Sequence, residues 1–319
     1  MKEVIMNAEL VLKLGKKIVF QLLVLGMILL IVLIATGVPT NFNVYYEYGQ
    51  YHWSMTLDEV KISILDNIKG FISGEIFSVK IASESIGIIF RTAFVLSLKV
   101  LLGGTLLALA LGIPKGVLDS QKKGQQETFK LLQSYIPLSI PDVLTVGLIQ
   151  FGAIYLYYND MTFLGLGPIH FIGDESWVNT IYPIISISIL PAAYISRITA
   201  STIETLYTKQ YIVTARGKGC SFFQVLKNHM MKNIIFEILS SAPTIMAMMF
   251  SSLLIIERLF FYRGVGFHLI FFFISDHFAP EQARASLTVF IMGLALFYYI
   301  LFLSLRGLNA WILPKIEER

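Results

Sequence analysis

Charge is scarce in this chain. Of its 319 residues only 14% are Asp, Glu, Lys or Arg, 55% are hydrophobic, and the mean hydropathy is +0.70. A soluble globular chain carries about 25% charged residues, so the composition excludes a water-soluble domain of this size. Cysteine is nearly absent. The single Cys220 excludes a disulfide framework and a Cys-based zinc site within one chain. The Gly-x-x-x-x-Gly-Lys-Ser/Thr loop that cradles nucleotide phosphates is missing, so the chain does not bind ATP in that way. His-Glu-x-x-His is missing too. His52, His170, His229, His268 and His277 show no compact metal-ligand spacing and read as structural or interfacial residues. No cofactor and no metal is expected. The net charge of +4 does not argue for nucleic acid, because the basic residues lie where membrane topology puts them.

Long apolar runs are what the chain has in abundance. Ile18 to Thr36 follows a start containing Lys2, Lys13, Lys16 and Lys17. A secretory signal has an apolar core of about 7–15 residues and a small-residue cleavage site. This run is longer and lacks such a site, so it reads as a retained first span, enough for a hydrocarbon layer of about 30 Å. Residues 38–85 form an outer segment. Tyr45, Tyr46, Tyr48, Tyr51 and Trp53 cluster there, as aromatics do at a membrane–water interface. Thr56-Leu57-Asp58-Glu59 has the capping-box pattern. Leu57, Val60, Ile64, Ile68 and Phe71 then share one helical face, with Gly70 as the expected end. The reading leaves two roles open for this helix: a contact surface for a substrate-binding protein, or a structural cap.

Five more spans follow, at Ile86–Ile113, Leu131–Tyr158, Trp177–Ile198, Ile234–Ile256 and Ala285–Leu305. Pro137 and Pro141 break the third. Residues 86–305 form the core, with a cytoplasmic loop at about 200–233, and 306–319 form a tail. Of the 25 Lys and Arg residues, 17 fall on the side of both termini and 7 on the other, with Lys99 inside a span. The positive-inside bias puts both termini and the basic loop in the cytoplasm. Intramembrane Lys99 lies too deep for easy snorkelling and is expected to meet a polar partner or cavity. Glu237, near the start of the fifth span, is expected to meet Asn233 one turn earlier. Acidic residues inside the spans are otherwise few, which leaves little for a proton-driven carrier.

Between the fourth and fifth spans lies a basic island, Tyr211 to Asn233. Lys209, Arg216, Lys218, Lys227 and Lys232 bring positive charge with no acidic residue among them, and Gly217 and Gly219 sit near the middle. Helix, sharp turn, helix is the expected form. Tyr211, Ile212, Thr214, Ala215, Arg216, Lys218, Gly219, His229 and Asn233 follow in an order and spacing that resembles the cytoplasmic EAA loop of ABC-transporter permeases of the peptide/nickel importer class. Departures are Val213, Gly217, Cys220 and Glu237. Phe90-Arg91-Thr92, the turn-like Leu111-Gly112-Ile113-Pro114-Lys115-Gly116, and Ile140-Pro141-Asp142 are similar to the same family. So is Glu257-Arg258-Leu259-Phe260 with Gly264-Val265-Gly266, where Arg263 replaces a usual Pro. The tail departs, having Leu308-Asn309-Ala310 where Asp-Pro-Arg is common.

The resemblance implies an all-α integral membrane protein with the six-helix type I permease fold and an extracytoplasmic insertion between helices 1 and 2. It implies a bacterial cytoplasmic membrane, a second similar permease, two separate ATPase subunits and an extracytoplasmic binding protein. The loop residues Tyr211, Thr214, Ala215, Arg216, Lys218, Gly219, His229 and Asn233 would couple to an ATPase. Lys99 and Glu257 would line the path or serve as structural polar groups. The chain itself would be no enzyme. Peptide is the expected cargo, with nickel or a metal chelate as the alternative. A secondary transporter or an intramembrane enzyme is the reading from another class.

Overall fold

The computed structural model describes residues 2–39, 44–121, 139–159, 172–175, 177–274 and 278–312. The fold is all-α, trimmed by two small hairpins. The order is α1 (Lys2–Gly37), β1 (Val44–Glu47), β2 (Gln50–Trp53), α2 (Leu57–Ser73), a 3-10 turn (Glu75–Ser78), β3 (Lys80–Ile81), β4 (Glu84–Ser85) and α3 (Ile86–Asp119). Then come α4 (Asp142–Tyr158), α5 (Ile181–Tyr207), α6 (Gln210–Gly217), α7 (Phe222–Val225), α8 (Met231–Leu259), α9 (Val265–Ile274) and α10 (Pro280–Ile312).

Among the described residues, five stretches are long and apolar enough to cross a membrane: Val19–Gly37, Ile86–Asp119, Trp177–Tyr207, Phe222–Leu259 and Pro280–Leu308. The shorter apolar helix Val143–Tyr158 stands where the third span was expected. Pro141 opens it rather than breaking it, its carbonyl accepting from Leu144 and Thr145 N–H. The first part of that expected span, with Pro137, lies outside the described residues. So do Lys122, Lys123 and Lys130, His170, His277 and the chain beyond 312.

The chain divides into two compact units, residues 1–91 with 271–300, and residues 92–270 with 301–319. In the first unit α2 is set as its sequence dictates. Thr56 Oγ1 accepts from Glu59 N–H and Glu59 answers with a carboxylate bond to Thr56 N–H at 2.7 Å. That backbone bond holds the Glu59 carboxyl below its usual pKa. The cap is therefore complete above the ordinary carboxylate range and is lost as pH falls through the lowered value. The helix passes through Gly70 and ends at Gly74, whose φ of 80° is the left-handed cap. Phe71, one residue past the expected end, stays helical with its ring against Phe77 at 5.9 Å.

The expected apolar face of α2 is right except at its start, where Leu57 is exposed, and its centre is polar. Asn67 is 2% exposed and donates to Leu33 O at 3.0 Å. Thr36 and Thr288 complete the cluster, with Thr288 Oγ1 at 2.8 Å from Thr36 Oγ1 and 3.1 Å from Asn67 Oδ1. Ser63 Oγ donates to Gly37 O, and Arg284 donates to Ser63. A side chain at Gly37 would strike the Ile64 backbone, so α2 meets α1 closely there. Beneath, Phe90, Phe290 and Phe272 pack edge to face.

In the second unit α3 lies against α5 through glycines. Gly103 and Gly104 seat Ile184 and Ile187, and a Cβ at Gly112 would fall 2.8 Å from Ala192 O. Gly116 meets Ser196 O and Thr199 in the same way. Small residues let helix backbones approach where lipid gives no hydrophobic drive to pack. The Leu111–Gly116 stretch, expected to close the second span as a turn, is helical, and α3 continues through Pro114 to Asp119. A proline removes one backbone bond; the Gly112 and Gly116 contacts and the Lys115–Asp119 pair at 2.6 Å hold the extra turn.

This packing gives a direct expectation. Gly112→Val should destabilise the protein by about 1–3 kcal/mol through overpacking. Gly147→Val, placed where nothing lies within 4 Å, should change it by less than about 1 kcal/mol. Thermal unfolding of the purified protein in one detergent compares the two; equal shifts would refute the close α3–α5 contact.

Candidate functional site

The basic island folds as helix, turn, helix. Helix α6 closes with a Schellman arrangement. Cys220 N–H bonds Ala215 O at 3.2 Å, and Gly219 N–H bonds Arg216 O at 2.9 Å. The residue between must be left-handed, and Gly219 has φ of 85°. Around its Cα the space is open, with nothing within 4 Å of an added Cβ. Backbone conformation, and not crowding within this chain, is what requires glycine there.

Ser221 then opens α7 with a second capping box, Gln224 answering at 2.8 Å. One wide π turn, Leu226–Met230, carries α7 into α8. Single π turns of this kind recur at functional sites. His229 sits in this turn, and the Asn233 amide donates to His229 O at 3.3 Å. That bond gives the four-residue spacing of these two its local reason, and it replaces the expected Glu237–Asn233 contact. Glu237 instead lines a cleft of about 250 Å³ with Tyr194, Arg197, Ile198, Ser201 and Thr202.

Three side chains tie the loop to the end of α5. The Arg216 guanidinium lies 5.3 Å over the Tyr207 ring. Tyr207 stacks on Phe222 at 6.3 Å with 14° between planes. Arg216 thus braces α6, α5 and α7 through a cation–π contact. Ile212, Val225, Met230 and Ile234 are fully buried beneath, and Ala215 faces inward with them. Tyr211, Thr214, Arg216, Lys218 and Gly219 are on the outer side, joined by Val213 and Phe223 at 50% and 70% exposure. Sequence reading missed Phe223; its place in the first turn after the capping serine was the available signal.

Glu257 lies at the other end of α8 and is 0% exposed. Its Oε1 accepts from Ser97 Oγ at 2.6 Å, and its Oε2 accepts from Gly266 N–H at 2.6 Å. Phe267 N–H adds a longer bond at 3.4 Å. Ser97 accepts in turn from Val265 N–H at 2.8 Å. The carboxylate therefore caps the start of α9 and fastens it to α3. Gly264 and Gly266 leave no room for a side chain, the first against the Glu257 carboxylate and the second against the Leu254 backbone. Around this lock Tyr262 is buried with its hydroxyl 3.2 Å from Thr180 Oγ1, and Arg263 pairs with Asp174 at 2.6 Å. Arg263 thus has an ion-pair role.

Lys99 is on α3 near Ser97, but its side chain is exposed, and no ion pair of Lys99 occurs among the described residues. Nor does any group of three His, Cys, Asp or Glu gather there in metal-binding reach.

No protein-family model matches the chain. Its curated homologues are peptide ABC transport permeases. The dipeptide transport system permease protein DppB of Bacillus subtilis is 23% identical over 227 residues, 70% of this chain and 67% of that protein. DppB of Lactococcus lactis is 28% identical over 164 residues, 50% of this chain and 51% of the other. The inner membrane ABC transporter permease protein YejB of Escherichia coli O157:H7 is 27% identical over 195 residues, 58% and 53% of the two chains. The match spans two thirds of the Bacillus protein and about half of the other two.

Removing the buried acceptor should be severe. Glu257→Ala leaves Ser97 and two backbone N–H groups without their partner, at about 1–3 kcal/mol for each stranded donor. Ser97→Ala, which strands only Val265 N–H and one carboxylate lone pair, should lose about 1–3 kcal/mol. Thermal unfolding of the purified variants measures both; wild-type stability in Glu257→Ala would remove the lock.

Proposed function

We propose that this chain is a transmembrane permease subunit of an ATP-driven importer, moving peptides delivered by an extracytoplasmic binding protein. The observation that carries the reading is the loop between Tyr207 and Asn233. It has the residue order of an EAA loop, and it folds as a rigid two-helix knuckle with an exposed apolar and basic outer side. The similarity to peptide permeases supports the same reading. The chain works with a second, similar permease and two ATPase subunits, and it hydrolyses nothing itself.

Six spans cross the membrane, with α4 in the third of them. Both termini and the knuckle lie in the cytoplasm, as the distribution of Lys and Arg requires. Tyr211, Val213, Lys218 and Phe223 are the residues that enter the groove of an ATPase. Charge pairing by Lys218 at such a surface contributes only about 0–1 kcal/mol, so apolar packing supplies most of the hold. Of the knuckle's two helices, α6 follows α5 after a break at Thr208–Lys209, and α7 runs through the π turn into α8. When the ATPases close on ATP, the knuckle is displaced and moves both spans at once, and the path opens to alternate sides. Nothing in the geometry favours a metal chelate over a peptide as cargo.

Cys220 is the chain's one cysteine and is exposed beside Gly219, which gives a test on the native sequence. A membrane-impermeant maleimide should label Cys220 in inverted membrane vesicles and leave it unlabelled in intact cells. Assembly with the ATPase subunits should then protect it. Labelling from outside the cell would refute the topology, and undiminished labelling in the assembled complex would refute the docking surface.

A further inference from the structure

The hairpin β1–β2 turns one face of large side chains outward. Its register pairs Val44 with Trp53 and Tyr46 with Tyr51. Alternation along a strand puts these four on one side, and they are 50%, 58%, 65% and 74% exposed for Val44, Trp53, Tyr46 and Tyr51. The Tyr46 and Tyr51 rings touch, 5.0 Å between centroids. Glu47, Gln50 and His52 take the alternate positions. The turn is Tyr48-Gly49, both with positive φ, as a tight two-residue hairpin loop requires. No third strand extends this sheet among the described residues. A lone two-stranded hairpin is marginal in water, so the aromatic face needs a surface to lie on.

We propose that this face is an anchor in the membrane interface, seated among the lipid headgroups and uppermost acyl carbons. Three observations point to lipid. The first is position. The apolar span of α1 ends at Gly37, and six residues separate that point from Val44, a reach of about 25 Å at most. On the other side Ser54 to Thr56 lead into α2, whose Ser63 is bonded to Gly37 O and whose Asn67 is bonded to Leu33 O. Both ends of the hairpin are thus tied to the last turns of a membrane span. The second is chemistry. Tyr and Trp have an apolar body and a polar edge and collect at the membrane–water boundary. The face lacks Lys, Arg, Asp and Glu, so neither an acidic nor a basic partner surface is recognised by charge. The third is continuity. The adjoining helix α2 exposes Ile62, Leu65 and Ile72, so apolar side chains extend beyond the hairpin itself. That the lipid leaflet is the outer one rests on the topology proposed above; the contact with lipid does not.

The test uses the assembled transporter in lipid nanodiscs, with Cys220→Ser and Tyr51→Cys in this chain and the other subunits free of cysteine. An environment-sensitive fluorophore is placed on the new thiol. Lipids spin-labelled near the headgroup should quench it several-fold more than lipids labelled deep in the chain. Aqueous iodide should quench it weakly, and raising salt should change neither. A fluorophore at Gln50→Cys, on the opposite face, should respond mainly to iodide. Trp53→Cys gives the same readout as Tyr51→Cys should that variant fail to assemble. Strong iodide quenching without lipid quenching at Tyr51→Cys would overturn the proposal. So would lipid-insensitive fluorescence that becomes shielded only on adding the binding protein, since the face would then dock a protein.

Discussion

A carboxylate with no exposure to solvent must find all its hydrogen-bond donors inside the protein. Glu257 finds them in Ser97 and in the first N–H groups of α9. Three elements meet at this one side chain: α3 through Ser97, α8 through Glu257 itself, and α9 through its N-terminus. Burying a carboxyl group without partners would be costly, and these donors at a helix start supply them. The surrounding sequence is explained by this requirement. Gly264 and Gly266 are small because the carboxylate and the Leu254 backbone occupy the space their side chains would need. Arg263, one residue before, is turned away to Asp174.

Helix α8 joins this lock to the knuckle. Its 29 residues span about 43 Å at 1.5 Å per residue. At the start of that length the π turn and the Asn233–His229 bond fix how α7 enters α8. On the other side of the knuckle, Arg216 rests on Tyr207, the last residue of α5. A displacement of the outer surface of the knuckle is therefore passed to α5 through a ring contact and to α8 through continuous backbone. Within this unit α3 packs closely on α5 through glycines; on the function proposed above, that close packing passes a displacement of α5 on to α3.

Much of this was legible in the sequence, for identifiable reasons. The Thr56–Glu59 capping box fixed the start of α2 because both partners are local. The knuckle was readable because a left-handed cap demands glycine at one position, and only Gly219 meets that demand while Gly217 stays helical. The helix ends that went astray share a cause. Gly70 and the Gly112–Gly116 stretch resemble stops when only local preference is considered. Contacts with Phe77, Ala192 and Ser196 carry the helices onward. Lys99 is expected from its depth to meet a polar partner or a cavity; within this chain its side chain is exposed on α3. The role of Glu257 needed the three-dimensional meeting of residues 97, 257 and 266, too far apart in the chain for any spacing rule. The β1–β2 hairpin was missed because its strands are four residues each, although Tyr48-Gly49 between aromatic alternations was the clue.

The central claim is that the knuckle turning at Gly219 transmits ATP-driven motion to the spans. The most direct measurement is substrate-stimulated ATPase activity and uptake by the assembled transporter containing Gly219→Val, beside Gly219→Asn. Valine is strained at a φ of 85°, whereas asparagine tolerates left-handed backbone better. Both stimulation and uptake should collapse with valine while the subunit still inserts and assembles, and asparagine should retain a substantial part of each. Near-normal coupling with valine at this position would contradict the claim.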